Sequence, residues 1–304
     1  MTFKPMKGDD ADRTKLRFPY MLTPKIDGYR CVVRGGVALT SSLKPFPNKY
    51  LQSVLGRPEC EGFDGELVIG SPTDPGVFRN SGALRRVEGE PDFMFWVFDD
   101  CSRPNERADT RFDGLIRRVA ELPWGHTPAL RTSTVQMVVA SDLEEMQGHE
   151  AFYVRAGYEG VMLRDPASPY KHGRSTVKEN MLLKLKTFLD GEAVIIGFEE
   201  QMLNTNAKVV GEDGRSKRSS AKAGKVGKGT LGNLLVRGVN GKFDGVEFEV
   251  GTGEGLTDAL RQQIWDTRER FLGKVITFKS QDVGGYDKPR IPIYKGFRDP
   301  KELK

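Results

Sequence analysis

The sequence predicts an α+β fold in two domains, a mixed domain over residues 1–189 followed by a small β-barrel over residues 190–304. Three features carry that expectation. Helical periodicities alternate with short β-branched and aromatic runs up to about Leu189. Beyond it the texture shifts to short strands separated by glycine-rich turns. The length, 304 residues, suits one large domain or two ordinary ones.

In the first domain, Arg30–Val33 and Val37–Thr40 flank Gly35-Gly36 and read as a hairpin. Asn48 caps a short helix whose apolar face is Tyr50, Leu51, Val54 and Leu55. Leu67–Ile69 and Phe93–Phe98 read as buried strands. From Asp109, the residues Phe112, Leu115, Ile116, Val119 and Leu122 recur at helical spacing, and Pro123 ends the run. Val135–Ala140 reads as a strand. Ser141 with Glu144 has the spacing of a capping box for a helix that stops near Gly157. Strands at Gly160–Arg164 and Met181–Phe188 complete the domain.

In the second domain, strands are expected at Ala193–Phe198, Gly232–Arg237, Gly245–Gly251 and Lys274–Lys279. One helix, capped by Thr257 and closed at Gly273, lies among them. Five or so short strands and a helix make a small barrel, for which the oligonucleotide-binding type is the natural candidate.

The chain is 29% charged and 38% apolar, with a mean hydropathy of -0.48, the composition of a soluble globular protein. It has no run of roughly 18 apolar residues and no secretory h-region, so a cytoplasmic protein without a membrane span is expected. Cys31, Cys60 and Cys101 are scattered, as are His126, His149 and His172. That argues against a zinc site, a disulfide framework or a histidine triad. The net charge is only +5, yet residues 203–230 alone sum to +5. Their bases are Lys208, Arg215, Lys217, Arg218, Lys222, Lys225 and Lys228, against Glu212 and Asp213. Composition leaves two readings open for this stretch, a solvated loop or a loop that tracks a polyanion.

The sharpest local pattern is Lys25-Ile26-Asp27-Gly28-Tyr29-Arg30. Alone it is also compatible with a surface turn. Its companions, in order, are Phe63-Asp64-Gly65-Glu66, Phe95-Trp96-Val97-Phe98-Asp99, Tyr158-Glu159-Gly160-Val161-Met162 and Leu183-Lys184-Leu185-Lys186. The residue types suit nucleotidyl transfer. A lysine nucleophile must lose its proton, and lowering its pKa from ~10.4 to about 7–8 takes roughly 4 kcal/mol. Burial and nearby cations such as Arg30, Lys184, Lys186 or a metal ion act in that direction. Lys184 and Lys186 alternate along a strand, so both face one side, toward solvent or toward a phosphate. Asp27, Glu66 and Glu159 are either ordinary turn acids or a supply of oxygen ligands for Mg²⁺ and acceptors for ribose hydroxyls. Phe98 is either plain core or the aromatic face that sandwiches a base.

These five ordered motifs resemble the signature of the covalent nucleotidyltransferases, which comprise DNA ligases, RNA ligases and mRNA capping enzymes. From Phe18-Pro19 to the C-terminus the chain is similar to the compact ATP-dependent DNA ligases of the minimal viral type. Lys44-Pro45, His172-Gly173-Arg174-Ser175-Thr176, Ser216-Lys217-Arg218-Ser219 and Gly251-Thr252-Gly253 also match that type. The resemblance implies an ATP-grasp-like nucleotidyltransferase (adenylation) domain followed by an OB-fold domain. It further implies that Lys25 attacks the α-phosphate of ATP to give lysyl-AMP, and that the AMP passes to a 5′-phosphate at a nick. An adjacent 3′-OH then seals the strand. Arg30, Glu66, Phe98, Lys184 and Lys186 would bind ATP or AMP, and Asp27 and Glu159 would position Mg²⁺ or Mn²⁺. Lys44, Arg174 and the basic residues of 203–230, which correspond to a DNA-embracing latch, would bind DNA. The implied partner is nicked duplex DNA, encircled by a monomer, in replication, repair or recombination. An RNA ligase or capping guanylyltransferase is the alternative.

Two departures stand out. Thr40-Ser41-Ser42-Leu43 lacks the arginine usual after the first hairpin, a role that falls to Lys44 or Lys49. The final motif, Arg290-Ile291-Pro292 through Arg298-Asp299-Pro300-Lys301, also diverges from that of larger ligases.

Overall fold

The computed structural model describes residues 3–122, 131–186, 188–210, 216–281 and 287–298. Pro123, Glu212, Asp213, Arg215 and residues 299–301 lie outside them, as does the side chain of Lys217. The chain divides into two units; among the described residues the first runs to Lys186 and the second begins at Phe188.

The first unit contains β1 (Asp9–Asp10), β2 (Tyr20–Pro24), β3 (Tyr29–Arg34), β4 (Val37–Thr40), β5 (Phe63–Ile69), β6 (Phe93–Asp100), β7 (Thr132–Thr134), β8 (Val138–Ala140), β9 (Gly160–Arg164) and β10 (Leu182–Lys186). They form two five-stranded sheets, ordered β1-β10-β9-β2-β8 and β4-β3-β5-β6-β7. The β3–β4 hairpin turns on Gly35 and Gly36, at φ +60° and +71°. Those values are what a two-residue turn matched to strand twist requires. Helices α1 (Lys49–Leu55), α2 (Val77–Asn80) and α3 (Ala108–Ala120) bury Leu51, Val54, Leu55, Val77, Phe112, Leu115 and Val119 against the second sheet. Each such side chain contributes roughly 1.5–3 kcal/mol. Helix α4 (Leu143–Arg155) packs Met146 and Tyr153 on the first sheet. Met6, Val32, Cys101, Tyr170 and Leu182 form a small cluster that joins side chains of β3 and β10, one from each sheet.

Several local expectations shift. Asn48 does cap α1, its side chain accepting from the Leu51 N–H at 2.8 Å. The cap of α4 falls one residue later than expected: Asp142 accepts from Glu145 N–H at 2.9 Å, and Glu145 accepts from Ser141 N–H at 2.7 Å. The expected Val135–Ala140 strand is two pieces, because the chain leaves one sheet after Thr134 and joins the other at Val138. Ile116 is largely exposed, since it sits at the margin of the α3 stripe. Strand β2 has no clear signal in the sequence because Pro19 and Pro24 bracket it; a proline at a strand end forfeits no internal ladder bond.

The second unit is a barrel of β11 (Phe188–Asn204), β14 (Lys225–Gly238), β15 (Glu247–Val250), β16 (Val275–Gln281) and β17 (Arg290–Phe297), with a two-stranded ribbon, β12 (Lys208–Val210) and β13 (Ser216–Arg218), inserted after the first strand. The sheet order is β15-β14-β11-β16-β17. A bridge from Thr252 to Ile293 closes it, with Tyr294 N–H donating to Thr252 C=O at 2.7 Å. Strand β17 coincides with the terminal motif, where Pro292 masks the strand pattern. Helix α5 (Asp258–Asp266) is shorter than expected, giving way to a 3₁₀ turn at Arg268–Arg270 before Gly273. From α5 the Arg261 guanidinium reaches the carbonyls of Leu231, Gly232 and Gly251 at 2.6–3.1 Å, tying the helix to strand ends.

Candidate active site

The register of three strands builds the first part of the site. Pro24 at the end of β2 pairs with Val161 of β9, so Lys25 falls beside Gly160, and its N–H donates to Gly160 C=O at 2.9 Å. Lys186 at the end of β10 pairs with the same Gly160. A Cβ there would lie 2.1 Å from the Leu185 carbonyl oxygen, and φ is +147°, so only glycine permits this junction. The preceding residue, Glu159, therefore sits between two lysines. Its Oε2 accepts from Lys25 Nζ, and its Oε1 pairs with Lys186 Nζ at 2.9 Å. Burial alone would raise the Glu159 carboxyl. The charges and hydrogen bonds of Lys25 and Lys186 outweigh that effect and hold it below the usual range.

The second sheet supplies the opposite wall. Arg30 of β3 lies directly across from Glu66 of β5. Gly28 lets the strands close up, since a Cβ there would meet the Leu67 carbonyl oxygen at 2.4 Å. Between β5 and β6 the register slips: Asp64 pairs with Asp99 and Gly65 with Val97, so Phe98 is the extra residue of a bulge. A bulge re-aims a side chain, and here it turns the ring of Phe98 beneath the Arg30 guanidinium, 4.5 Å from ring centre. Burial pushes the Glu66 carboxyl up to about 7, against the pull of Arg30 and Lys25.

Lys25, Arg30, Glu66, Phe98 and Lys184 thus line one cleft between the two sheets, together with Thr23, Pro24, Ile26, Met162, Arg164 and Leu182. Glu159 and Lys186 join it through Lys25. Asp27 follows Lys25 by two residues and is not a lining residue of that cleft. Lys184 also faces Asp10 of β1, Nζ to Oδ1 at 3.5 Å. The carboxylates suit Mg²⁺, which takes one or two protein oxygens and fills its other positions with phosphate and water. Among the described residues no three of His, Cys, Asp or Glu converge on a metal-sized site. Glu66 lines the cleft and Glu159 reaches it through Lys25, so the cleft offers the one or two carboxylates that an ion bound to a nucleotide's phosphates would use.

Other predicted residues lie elsewhere. Lys44 ends the turn after β4, its N–H on Thr40 Oγ1 at 3.3 Å. Lys49 pairs with Glu88, both exposed. Arg174 is half exposed, its guanidinium on the Gly8 carbonyl at 3.1 Å and 3.6 Å from Asp9. Among the described residues of 203–230, several pair into strands. The β11–β14 ladder continues outward through Met202–Gly227, Leu203–Val226 and Asn204–Lys225, and β12 pairs with β13 beyond it. Lys208, Arg218, Lys222 and Lys228 are exposed and Lys225 is half-buried.

Sequence reasoning missed the charges beneath the cleft. Asp99 is buried between Arg111, Nε to Oδ1 at 2.8 Å, and Arg164. Burial opposes its charge, but the two guanidiniums keep its pKa low. Asp64, fully buried, holds Arg30 through two bonds of 2.5 and 2.6 Å. The signal for both is a carboxylate inside a β-branched and aromatic run.

Comparison with known proteins points one way. The family model described as a DNA ligase OB-like domain matches residues 223–298. A DNA ligase of African swine fever virus is 21% identical over 142 residues, 45% of this chain. The match spans 32% of that protein's length. Chlorella virus DNA ligase-adenylate superposes with a TM-score of 0.55 at 27% identity, covering 99% of this chain and 100% of that one. A Lig E DNA ligase superposes with a TM-score of 0.69 at 20% identity, covering 98% and 100%.

Proposed function

We propose that this chain, ATP-dependent DNA ligase-like in both of its domains, seals nicks in duplex DNA at the expense of ATP. One observation carries the reading. Residues from all five ordered motifs, 161 positions apart at the extremes by number (25 to 186), come together at one cleft.

Lys25 is the nucleophile. Its Nζ attacks the α-phosphorus of ATP, pyrophosphate leaves, and a lysyl-AMP remains. Glu159 aims the amine by accepting its hydrogen bond, and attack requires the ammonium to surrender a proton first. Lys184 and Lys186 face the growing negative charge on the α-phosphate, where fixed cations lower the barrier. Phe98 offers its ring to adenine, and Glu66 with Arg30 reaches the ribose and the reacting groups. Asp27 and Glu159 would hold Mg²⁺ together with the phosphates; when bound, the ion supplies neutralising charge. The AMP then passes to the 5′-phosphate of the nick, and the 3′-OH displaces it. Lys44, Arg174 and the basic ribbon (Lys208, Arg215, Lys217, Arg218, Lys222, Lys225, Lys228) bind the DNA backbone, with one monomer encircling the duplex.

Incubation with α-labelled ATP or GTP, followed by a nick-sealing assay with ATP against NAD, tests the reading. Labelling by ATP and ATP-dependent sealing are expected. Labelling by GTP alone would sink the ligase reading, and sealing of RNA but not DNA nicks would move the chain to the RNA ligases.

A further inference from the structure

Tyr170 lies on the segment between β9 and β10 and is buried, 3% exposed. Its hydroxyl donates to Asp64 Oδ2 at 2.6 Å and accepts from the Met6 N–H at 3.1 Å. Asp64 accepts in turn from Arg30 Nε and Nη2. The same Nη2 donates to the Met6 carbonyl at 3.1 Å. The guanidinium is thus held on its Nε–Nη2 edge by a buried carboxylate and a backbone carbonyl, and across its face by the Phe98 ring. Nη1 has no partner among the described residues and remains for a ligand in the cleft.

The network has a direction. Asp64 meets Arg30 through one bond to each of its oxygens, and the Tyr170 hydroxyl adds a third at Oδ2. The third bond, from Tyr170, fixes its plane, and a bidentate arginine follows that plane. Met6 couples the two partners again, since its N–H meets Tyr170 and its carbonyl meets Arg30. A phenylalanine in place of Tyr170 would fill the same space and lose only the hydroxyl's two hydrogen bonds.

We propose that Tyr170 is a positioning residue for nucleotidyl transfer, acting through Asp64 to set the plane of Arg30 in the cleft. The proposal rests on the ligase reading for what Arg30 does once positioned. It assigns a role in the first chemical step to a tyrosine that lies outside the five motifs and is not a lining residue of the cleft.

The test is a double-mutant cycle in the full chain with Tyr170→Phe, Arg30→Lys and the pair. The readouts are the single-turnover rate of lysyl-adenylate formation at saturating ATP and the melting temperature. Tyr170→Phe should slow adenylation about tenfold, the scale of one hydrogen bond to a charged group, with a modest fall in melting temperature because Asp64 and the Met6 N–H each lose a buried partner. In the Arg30→Lys background the same substitution should cost less than about twofold, because the residue it positions is gone. Adenylation at the wild-type rate in Tyr170→Phe, or a full penalty retained beside Arg30→Lys, overturns the proposal. If Tyr170→Phe fails to fold, Tyr170→Met, which also fills the space without a hydroxyl, replaces it in the same cycle with the same expectations. Absence of any ATP adenylate in the wild-type chain would instead be a failure of the ligase reading, visible before any variant is compared.

Discussion

Glu66→Gln should remove a pH-dependent loss of stability that the wild-type chain carries. Glu66 stands across the β3–β5 ladder from Arg30 and lines the cleft. Burial raises its carboxyl to about 7 from an ordinary 4.5, with Asp27 and Asp64 adding to the rise and Arg30 and Lys25 opposing it. Below pH 4.5 the folded and unfolded chains are both protonated here, and the contribution of Glu66 to stability is at its most favourable. Between pH 4.5 and about 7 the unfolded chain has released a proton that the folded chain keeps, so stability falls as pH rises. Above about pH 7 the loss is complete and the curve is flat. In full, the displacement is worth about 3 kcal/mol at ~1.36 kcal/mol per pH unit. Part of the side chain stays open to the cleft, where water screens it, so about 1–2 kcal/mol is expected. Glutamine has nothing to titrate. Urea unfolding of both proteins between about pH 4.5 and 8 should show the wild type losing that amount relative to Glu66→Gln. Parallel stability curves for the two would refute the argument that burial, and not the facing arginine, dominates this carboxyl.

Lys25→Ala should abolish adenylate formation while leaving duplex binding largely intact; retained ATP labelling would remove Lys25 as nucleophile. Deleting residues 205–228 should spare self-adenylation but impair sealing. It should also flatten the salt dependence of DNA binding by about 0.9 in log–log slope for each phosphate that the ribbon neutralises. Unchanged nick affinity after that deletion would dismiss the ribbon as a DNA-binding element. Arg111→Ala should destabilise the chain by about 3–5 kcal/mol in denaturant, because it strips a fully buried partner from Asp99; a loss below about 1 kcal/mol would show that Arg164 suffices alone.

Much of the cleft is visible in the sequence as residue types in order, and little of it as geometry. Lys25, Glu66, Phe98, Glu159 and Lys184 all stand out beside strand runs, because a reactive residue next to a glycine or within an apolar run at a strand is a local pattern. The pairing of Lys25 with Glu159 is not visible there. It depends on β2 meeting β9 in one register, and one residue of slip would turn Glu159 away. The bulge that turns Phe98 under Arg30 likewise exists only in the pairing of β5 with β6. Asp64 and Asp99 sit inside the motifs with no role legible in the sequence, since their partners Tyr170, Arg111 and Arg164 are remote along the chain and the bonds form only after burial.

A mixed domain followed by a small barrel, the ordered motifs, and the concentration of the whole net charge in residues 203–230 are all written in the chain's local patterns. These follow from periodicity, turn chemistry and composition, which act over a few residues at a time. Tertiary structure decided that Lys25 and Lys186 share one carboxylate. It decided that Arg30 is locked by a buried aspartate, and that the basic stretch prolongs the β11–β14 ladder into a ribbon. Strand register and desolvation decide such matters, and both come into being only when distant segments pack.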